Sequence, residues 1–298
     1  MTAAFLGLSA FPVTPADAAG RVDTDALGRL VARAAAAGVQ SLGVLGSTGA
    51  YVYLPVPERA RALAAAVEAA GGVPVIAGVG ALRQDEAIAN ARVAEAAGAA
   101  GLLVAPVSYL PLTEDEVAGL VAAVAGATGL PVCVYNNPTT THFTVTEALL
   151  ARLAAIPRVA AVKNPAPADG DVAAQIARLR PAVPAGFSLG YSGDMTIAAA
   201  LGAGADAWYS VLAGAFPAVA AEMWAARGDA GRLAAIDARL APVWEAFRRH
   251  TSFRCVHAAV AMLGLGRAIP PLPIRPLAPE AEAEFRDALA AAGLETAP

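Results

Sequence analysis

The apolar positions of this chain alternate between two periods. Short, wholly apolar runs are separated by longer stretches in which apolar residues recur every three or four positions. The join between the two repeats itself. Ala36-Ala37-Gly38 precedes Ser41-Leu42-Gly43-Val44-Leu45, and sixty residues later Ala96-Ala97-Gly98 precedes Gly101-Leu102-Leu103-Val104-Ala105. Glycine closing a helix, followed by a short run with no polar face, marks a helix-to-strand step where both faces of a parallel sheet are covered. Continuing the pattern predicts eight strands near Phe5–Phe11, Ser41–Leu45, Val73–Gly78, Gly101–Ala105, Pro131–Asn136, Val159–Lys163, Phe187–Gly190 and Ala207–Val211.

The segments between them read as helices. Leu27, Leu30, Val31 and Ala34 follow i, i+3, i+4, i+7, and Thr113-x-x-Glu116 is a capping box opening a helix to Ala127. Alternating strands and helices at this spacing predict a (β/α)8 barrel over residues 1–225, with an open doubly wound sheet as the alternative. From Arg227 the strands stop. Arg227–Arg249, Ser252–Leu263 and Pro279–Ala291 read as three helices, so residues 226–298 form a C-terminal helical appendage.

Composition narrows the functional classes. The chain is 57% hydrophobic and 15% charged, and its net charge is 21 − 25 = −4. It has no basic excess to neutralise phosphates, so nucleic acid and anionic membranes are unexpected partners. A mean hydropathy of +0.54 raises the question of a membrane span. The longest uncharged stretch is broken by Gly126, Gly129, Pro131 and Pro138, which favours buried strands and helices. Cys133 and Cys255 form no CxxC pair, and His142, His250 and His257 have no metal-ligand spacing. The first residues show no secretory leader, and a cytoplasmic location is expected.

In a (β/α)8 barrel, reactive groups come from the C-terminal ends of strands. That rule selects Gly46-Ser47-Thr48-Gly49, Ser108-Tyr109, Tyr135-Asn136-Asn137 and Lys163-Asn164. Lys163 is the only lysine among 21 basic residues. At the end of Val159-Ala160-Ala161-Val162 its amine would face the barrel mouth. Desolvation disfavours a charged amine and leaves it free to attack a ketone, which an always-protonated arginine cannot do. A structural ion pair is the plainer role for the same residue. Tyr135, on the neighbouring strand, could move protons or be a core tyrosine. Ser47 and Thr48 offer hydroxyls and backbone N–H groups for a carboxylate, or form a simple turn.

Together these residues resemble the class I Schiff-base lyases of the dihydrodipicolinate synthase and N-acetylneuraminate lyase family. The resemblance runs from Phe11-Pro12-Val13-Thr14-Pro15 through Gly46-Ser47-Thr48-Gly49, Tyr135-Asn136-Asn137-Pro138 and Val162-Lys163 to Pro270–Leu277. It implies that Lys163 forms the Schiff base, Tyr135 shuttles protons, and Ser47 and Thr48 bind the carboxylate of a 2-keto acid. It implies a homotetramer built from dimers and no cofactor beyond the covalent adduct. Three departures stand out. Where members that make dihydrodipicolinate carry an arginine for the aldehyde's carboxylate, this chain reads Thr139-Thr140-Thr141-His142, which argues against that product. Where a tyrosine is donated to the adjacent subunit, it reads Val107-Ser108-Tyr109. The acidic residue after Gly-Ser-Thr-Gly is Ala50.

The expected reaction is aldol cleavage or condensation, or dehydration, of a pyruvate-derived 2-keto acid. The substrate's tail would lie among Ser108, Tyr109, Thr140, His142 and Tyr191. Asp194 is expected to cap the helix after the seventh strand. A metal-dependent aldolase would need His, Asp or Glu at strand ends, where they are scarce. Two rival functions stay open: a barrel that binds 2-keto acids without turning them over, and dihydrodipicolinate synthesis itself.

Overall fold

The computed structural model describes residues 3–296. Eight parallel strands close into a barrel: β1 (Gly7–Ala10), β2 (Ser41–Val44), β3 (Val75–Gly78), β4 (Gly101–Val104), β5 (Val132–Tyr135), β6 (Val159–Pro165), β7 (Ser188–Ser192) and β8 (Ala207–Ser210). Gly7 to Ala10 pair with Ala207 to Ser210, so the sheet has no edge and the open-sheet alternative falls. The helices are α1 (Thr24–Ala36), α2 (Val56–Ala69), α3 (Gln84–Ala96), α4 (Glu114–Ala127), α5 (Pro138–Thr141), α6 (Glu147–Ala154), α7 (Val172–Leu179), α8 (Ile197–Gly202), α9 (Leu212–Ala215) and α10 (Pro217–Ala225). Then come α11 (Ala230–His250), α12 (Ser252–Met262) and α13 (Pro279–Ala291).

Local chemistry sets the helix ends. Asp23 accepts the Ala26 N–H at 2.9 Å and opens α1, which buries Leu27, Leu30, Val31 and Ala34. At α4 the Thr113 N–H donates to Glu116 Oε2 at 2.7 Å while the Glu116 N–H donates to Thr113 Oγ1 at 3.3 Å. Gly38 and Gly98 both take positive φ, +80° and +87°, where a side chain would be strained, and each turns a helix back toward its strand.

Strand side chains alternate between two cores. Leu8, Leu42, Val44, Leu102, Val104, Val132, Val134 and Val162 point outward to the helices. Phe5, Phe11, Ile76, Leu103, Cys133, Tyr135, Ala161 and Tyr209 fill the barrel. The C-terminal helices pack on this frame, α11 against α8 and α13, and α12 against α9 and α11. Trp244, Phe247 and Phe285 form their aromatic seam, with ring centroids 5.9 and 6.1 Å apart. Among the described residues no helix is long and apolar enough to cross a membrane.

Candidate active site

Lys163 and Tyr135 are register partners across β6 and β5, so both side chains enter the barrel from neighbouring strands. Lys163 does not end its strand, as the sequence suggests. β6 runs on to Pro165, with Asn164 and Pro165 paired to Tyr191 and Ser192 of β7, and the amine is set below the rim. The residue is only 4% exposed. On the outer side of the sheet, Asn136 Nδ2 donates to Asn164 Oδ1 at 3.0 Å and ties the two strand tips together.

The floor around the amine is aromatic. Lys163 Nζ is 4.1 Å from the ring centroids of Phe11 and of Tyr135, and 5.7 Å from that of Tyr209. Glycines make this possible. A β-carbon at Gly43 would fall 2.1 Å from the Phe11 ring, and one at Gly190 would fall 2.4 Å from Tyr209. Absent those side chains, Phe11 lies across β2 and Tyr209 across β7, and the two rings meet edge to face at 5.8 Å. Among the described residues every ion pair is made by arginine or histidine, so the structural ion-pair role for Lys163 is not realised.

The neighbouring phenol is aimed. Asn137 Nδ2 donates to the Tyr135 hydroxyl oxygen at 2.9 Å, which fixes the ring and leaves the phenol proton free to be given away. Beneath, burial pushes the Cys133 thiol up to about 12, partly offset by a contact with the Tyr209 hydroxyl at 3.6 Å and by Lys163. Burial likewise raises Tyr209 well above a free phenol. Both stay neutral and serve as packing.

Gly46-Ser47-Thr48-Gly49 crosses the mouth from the end of β2, between two residues of left-handed backbone, Leu45 at φ +59° and Ala50 at φ +52°. Such a conformation costs a non-glycine residue roughly 1–2 kcal/mol. Two of them bracketing four residues hold a turn that the local sequence would not choose. Thr48 is buried and Ser47 half-buried. The turn does not open a helix directly. A 3-10 turn at Tyr51–Tyr53 intervenes before α2, so the turn offers hydroxyls and loop N–H groups to a ligand rather than a helix N-terminus.

One tail-pocket expectation fails. Tyr191 is fully buried on the outer face of β7, where its hydroxyl donates to Gln175 Oε1 at 2.9 Å. Two-residue alternation decides this, because Gly190 holds the inward position. Tyr109 is 92% exposed beyond the mouth, with Ser108 half-buried behind it. Thr140 and His142 are exposed on and just after α5, and His142 closes that helix at φ +53°. Asp194 does not cap its own helix. Its oxygens accept the Trp208 Nε1–H at 2.9 Å and the Leu212 N–H at 2.7 Å, so it fastens β8 and the start of α9 to the loop after β7. Burial raises its carboxyl, against these N–H donors, Ser210 and Lys163. Sequence reasoning named Phe11 and Asn137 without giving either a role and passed over Tyr209 and Tyr51; glycines at inward strand positions were the signal for Phe11 and Tyr209. No group of three or more His, Cys, Asp or Glu gathers as a metal site among the described residues.

A barrel with a buried lysine and a register-matched tyrosine can be compared with known proteins. In sequence, the chain is 35% identical over 288 residues to the 4-hydroxy-tetrahydrodipicolinate synthase of Acidiphilium cryptum, covering 95% of this chain and 96% of that protein. In structure, it superposes with a TM-score of 0.95 and 50% identity on the crystal structure of dihydrodipicolinate synthase from Agrobacterium tumefaciens, over 97% of this chain and 98% of the other. The chloride-inhibited dihydrodipicolinate synthase from Acinetobacter baumannii, solved with pyruvate, gives 0.88 at 28% identity, covering 98% of this chain and all of that one. The family model described as the Dihydrodipicolinate synthetase family matches residues 4–292, and the chain belongs to that family.

Proposed function

We propose that the protein is a class I, metal-independent lyase that forms a Schiff base between Lys163 and pyruvate or a pyruvate-derived 2-keto acid. The observation that carries this is the position of Nζ, buried 4.1 Å from the Tyr135 ring, with no carboxylate paired to it among the described residues. The amine attacks the C2 ketone. Tyr135 gives its proton to the carbinolamine oxygen, which leaves as water. The resulting iminium draws electrons from C3, so a bond there can form or break. Ser47 and Thr48 hold the carboxylate, and this positioning contributes several kcal/mol of barrier reduction. The likeness to a relative solved with pyruvate supports the substrate class.

The names of the relatives favour condensation of pyruvate with an aldehyde, the 4-hydroxy-tetrahydrodipicolinate synthase activity, over the sequence expectation against it. One observation favours a second reading. The loop after β5 exposes Thr139, Thr140 and His142 with no guanidinium among them. That loop suits cleavage or dehydration of a 2-keto acid with a neutral, hydroxylated tail. Treatment with pyruvate and borohydride is expected to add the mass of pyruvic acid less one oxygen at Lys163. Absence of that adduct overturns the proposal. A panel of aldehydes and 2-keto-3-deoxy acids then separates the two readings, and an adduct with no turnover on either indicates a binding protein.

We also infer assembly into a homotetramer built from dimers. Val56, Leu82, Tyr109 and Leu110 are 55, 67, 92 and 69% exposed in the regions that follow β2, β3 and β4, an apolar rim beside the mouth. Leu110→Asp is expected to lower the mass measured by light scattering to that of a smaller species. An unchanged mass removes this rim from the interface.

A further inference from the structure

The loop after β2 sends a second phenol into the mouth. Tyr51 is 5% exposed. A β-carbon built on Gly80 would be 2.9 Å from the Tyr51 hydroxyl and 3.2 Å from the Ala105 carbonyl oxygen, so this hydroxyl lies where β3 and β4 reach the rim. The sheet register says how far that is from the chemistry. Gly78 pairs with Leu103, Val104 with Val134, and Tyr135 with Lys163. Continued toward the rim, these pairings align Gly80, Ala105, Tyr135 and Lys163 in one row across adjacent strands, each about 4.8 Å from the next. The first two members are the smallest residues available, and the Tyr51 ring occupies the space they leave. Arg59 fixes that ring. Its guanidinium stands 5.4 Å from the ring centroid and its Nε donates to the Tyr51 carbonyl at 2.8 Å. Burial, with Tyr135 adding to it, pushes the Tyr51 phenol up, and Arg59 opposes this, so the hydroxyl keeps its proton. Among the described residues none takes that proton in a hydrogen bond.

We propose that Tyr51 is a positioning and relay residue that exchanges protons between Tyr135 and water at the barrel mouth, within the same subunit. The proposal rests on the Schiff-base reading. After Tyr135 has given its proton to the departing water, its phenolate oxygen takes a proton from C3 of the iminium. The C–H electron pair becomes the C2=C3 bond, and the C=N pair returns to nitrogen. The proton on Tyr135 then passes through a bridging water to the Tyr51 oxygen as the Tyr51 proton passes to solvent. The reverse order returns a solvent proton to C3, and no net proton is gained or lost.

The exchange of pyruvate methyl protons in deuterated water, followed by proton NMR, reads this relay without needing a second substrate. Tyr51→Phe keeps the ring and is expected to form the borohydride-trapped adduct on Lys163, with half-saturation by pyruvate unchanged. Its exchange rate falls by roughly a hundred-fold, the lower end of what a positioned proton-transfer group contributes. Imidazole buffer restores that rate in proportion to its concentration, a response that mere loosening of packing would not produce. Gly80→Ala, which presses on the same hydroxyl, is expected to slow exchange in the same way. Parent-like exchange in Tyr51→Phe with the adduct intact overturns the relay and leaves the Schiff base standing. So does slow exchange that imidazole cannot rescue. Failure of the parent protein to form an adduct overturns the underlying reading instead.

Discussion

Lys163→Arg abolishes the borohydride-trapped adduct and lowers turnover by about 10³-fold or more, the scale seen when a covalent nucleophile is removed. The substitution keeps the positive charge and most of the stem, and the guanidinium still finds the faces of Phe11 and Tyr135. What it cannot do is deprotonate and attack a carbonyl. The same property makes the experiment specific: a charge that served only to attract the substrate's carboxylate would survive the change. Mass spectrometry after reduction, beside a steady-state assay of pyruvate release or consumption, separates these outcomes. Retained turnover would remove the amine from the mechanism.

Gly78→Ala is expected to be the most damaging small change outside the site. The added β-carbon would come within 1.8 Å of the Leu45 carbonyl oxygen and 2.6 Å of its carbonyl carbon. Those are backbone atoms, so no rotamer change relieves the overlap and β2 or β3 must move. Overpacking of a core costs about 1–3 kcal/mol, and a clash with backbone belongs at the upper end. Calorimetry should show the melting temperature lowered by roughly 5 °C or more. Leu45 also begins the left-handed step into Gly46-Ser47-Thr48-Gly49. Displacing it tilts the cradle, so the KM for the 2-keto acid rises in the folded fraction while the adduct on Lys163 still forms. A variant with parent-like melting and KM would show that β2 yields without cost.

Much of this site lay open in the amino-acid order, and the parts that did not share one cause. The eight strands, the glycine-terminated helices and the Thr113–Glu116 cap depend on neighbours a few residues away, and each follows from period and local hydrogen bonding. That Lys163 and Tyr135 enter the barrel near its mouth was legible, because position late in a strand and two-residue alternation need no long-range contact. Inward or outward placement on β7 was harder to read. One residue of phase carries Tyr191 from the mouth to the helices, and only the pairing with β6 and β8 fixes that phase.

The chain's own order therefore determined the barrel's repeat, the lysine and tyrosine near the C-terminal ends of β6 and β5, and the glycines that leave room around them. Which aromatic rings fill that room was decided by closure of the sheet. Phe11, just past β1, and Tyr209 on β8 become neighbours only when β8 returns to β1, and Tyr51 reaches the Tyr135 row by way of a loop rather than a strand. Such contacts join residues well over a hundred positions apart, or a loop to three strands at once. Their geometry is set by the packing of the whole barrel, and no window along the chain contains it.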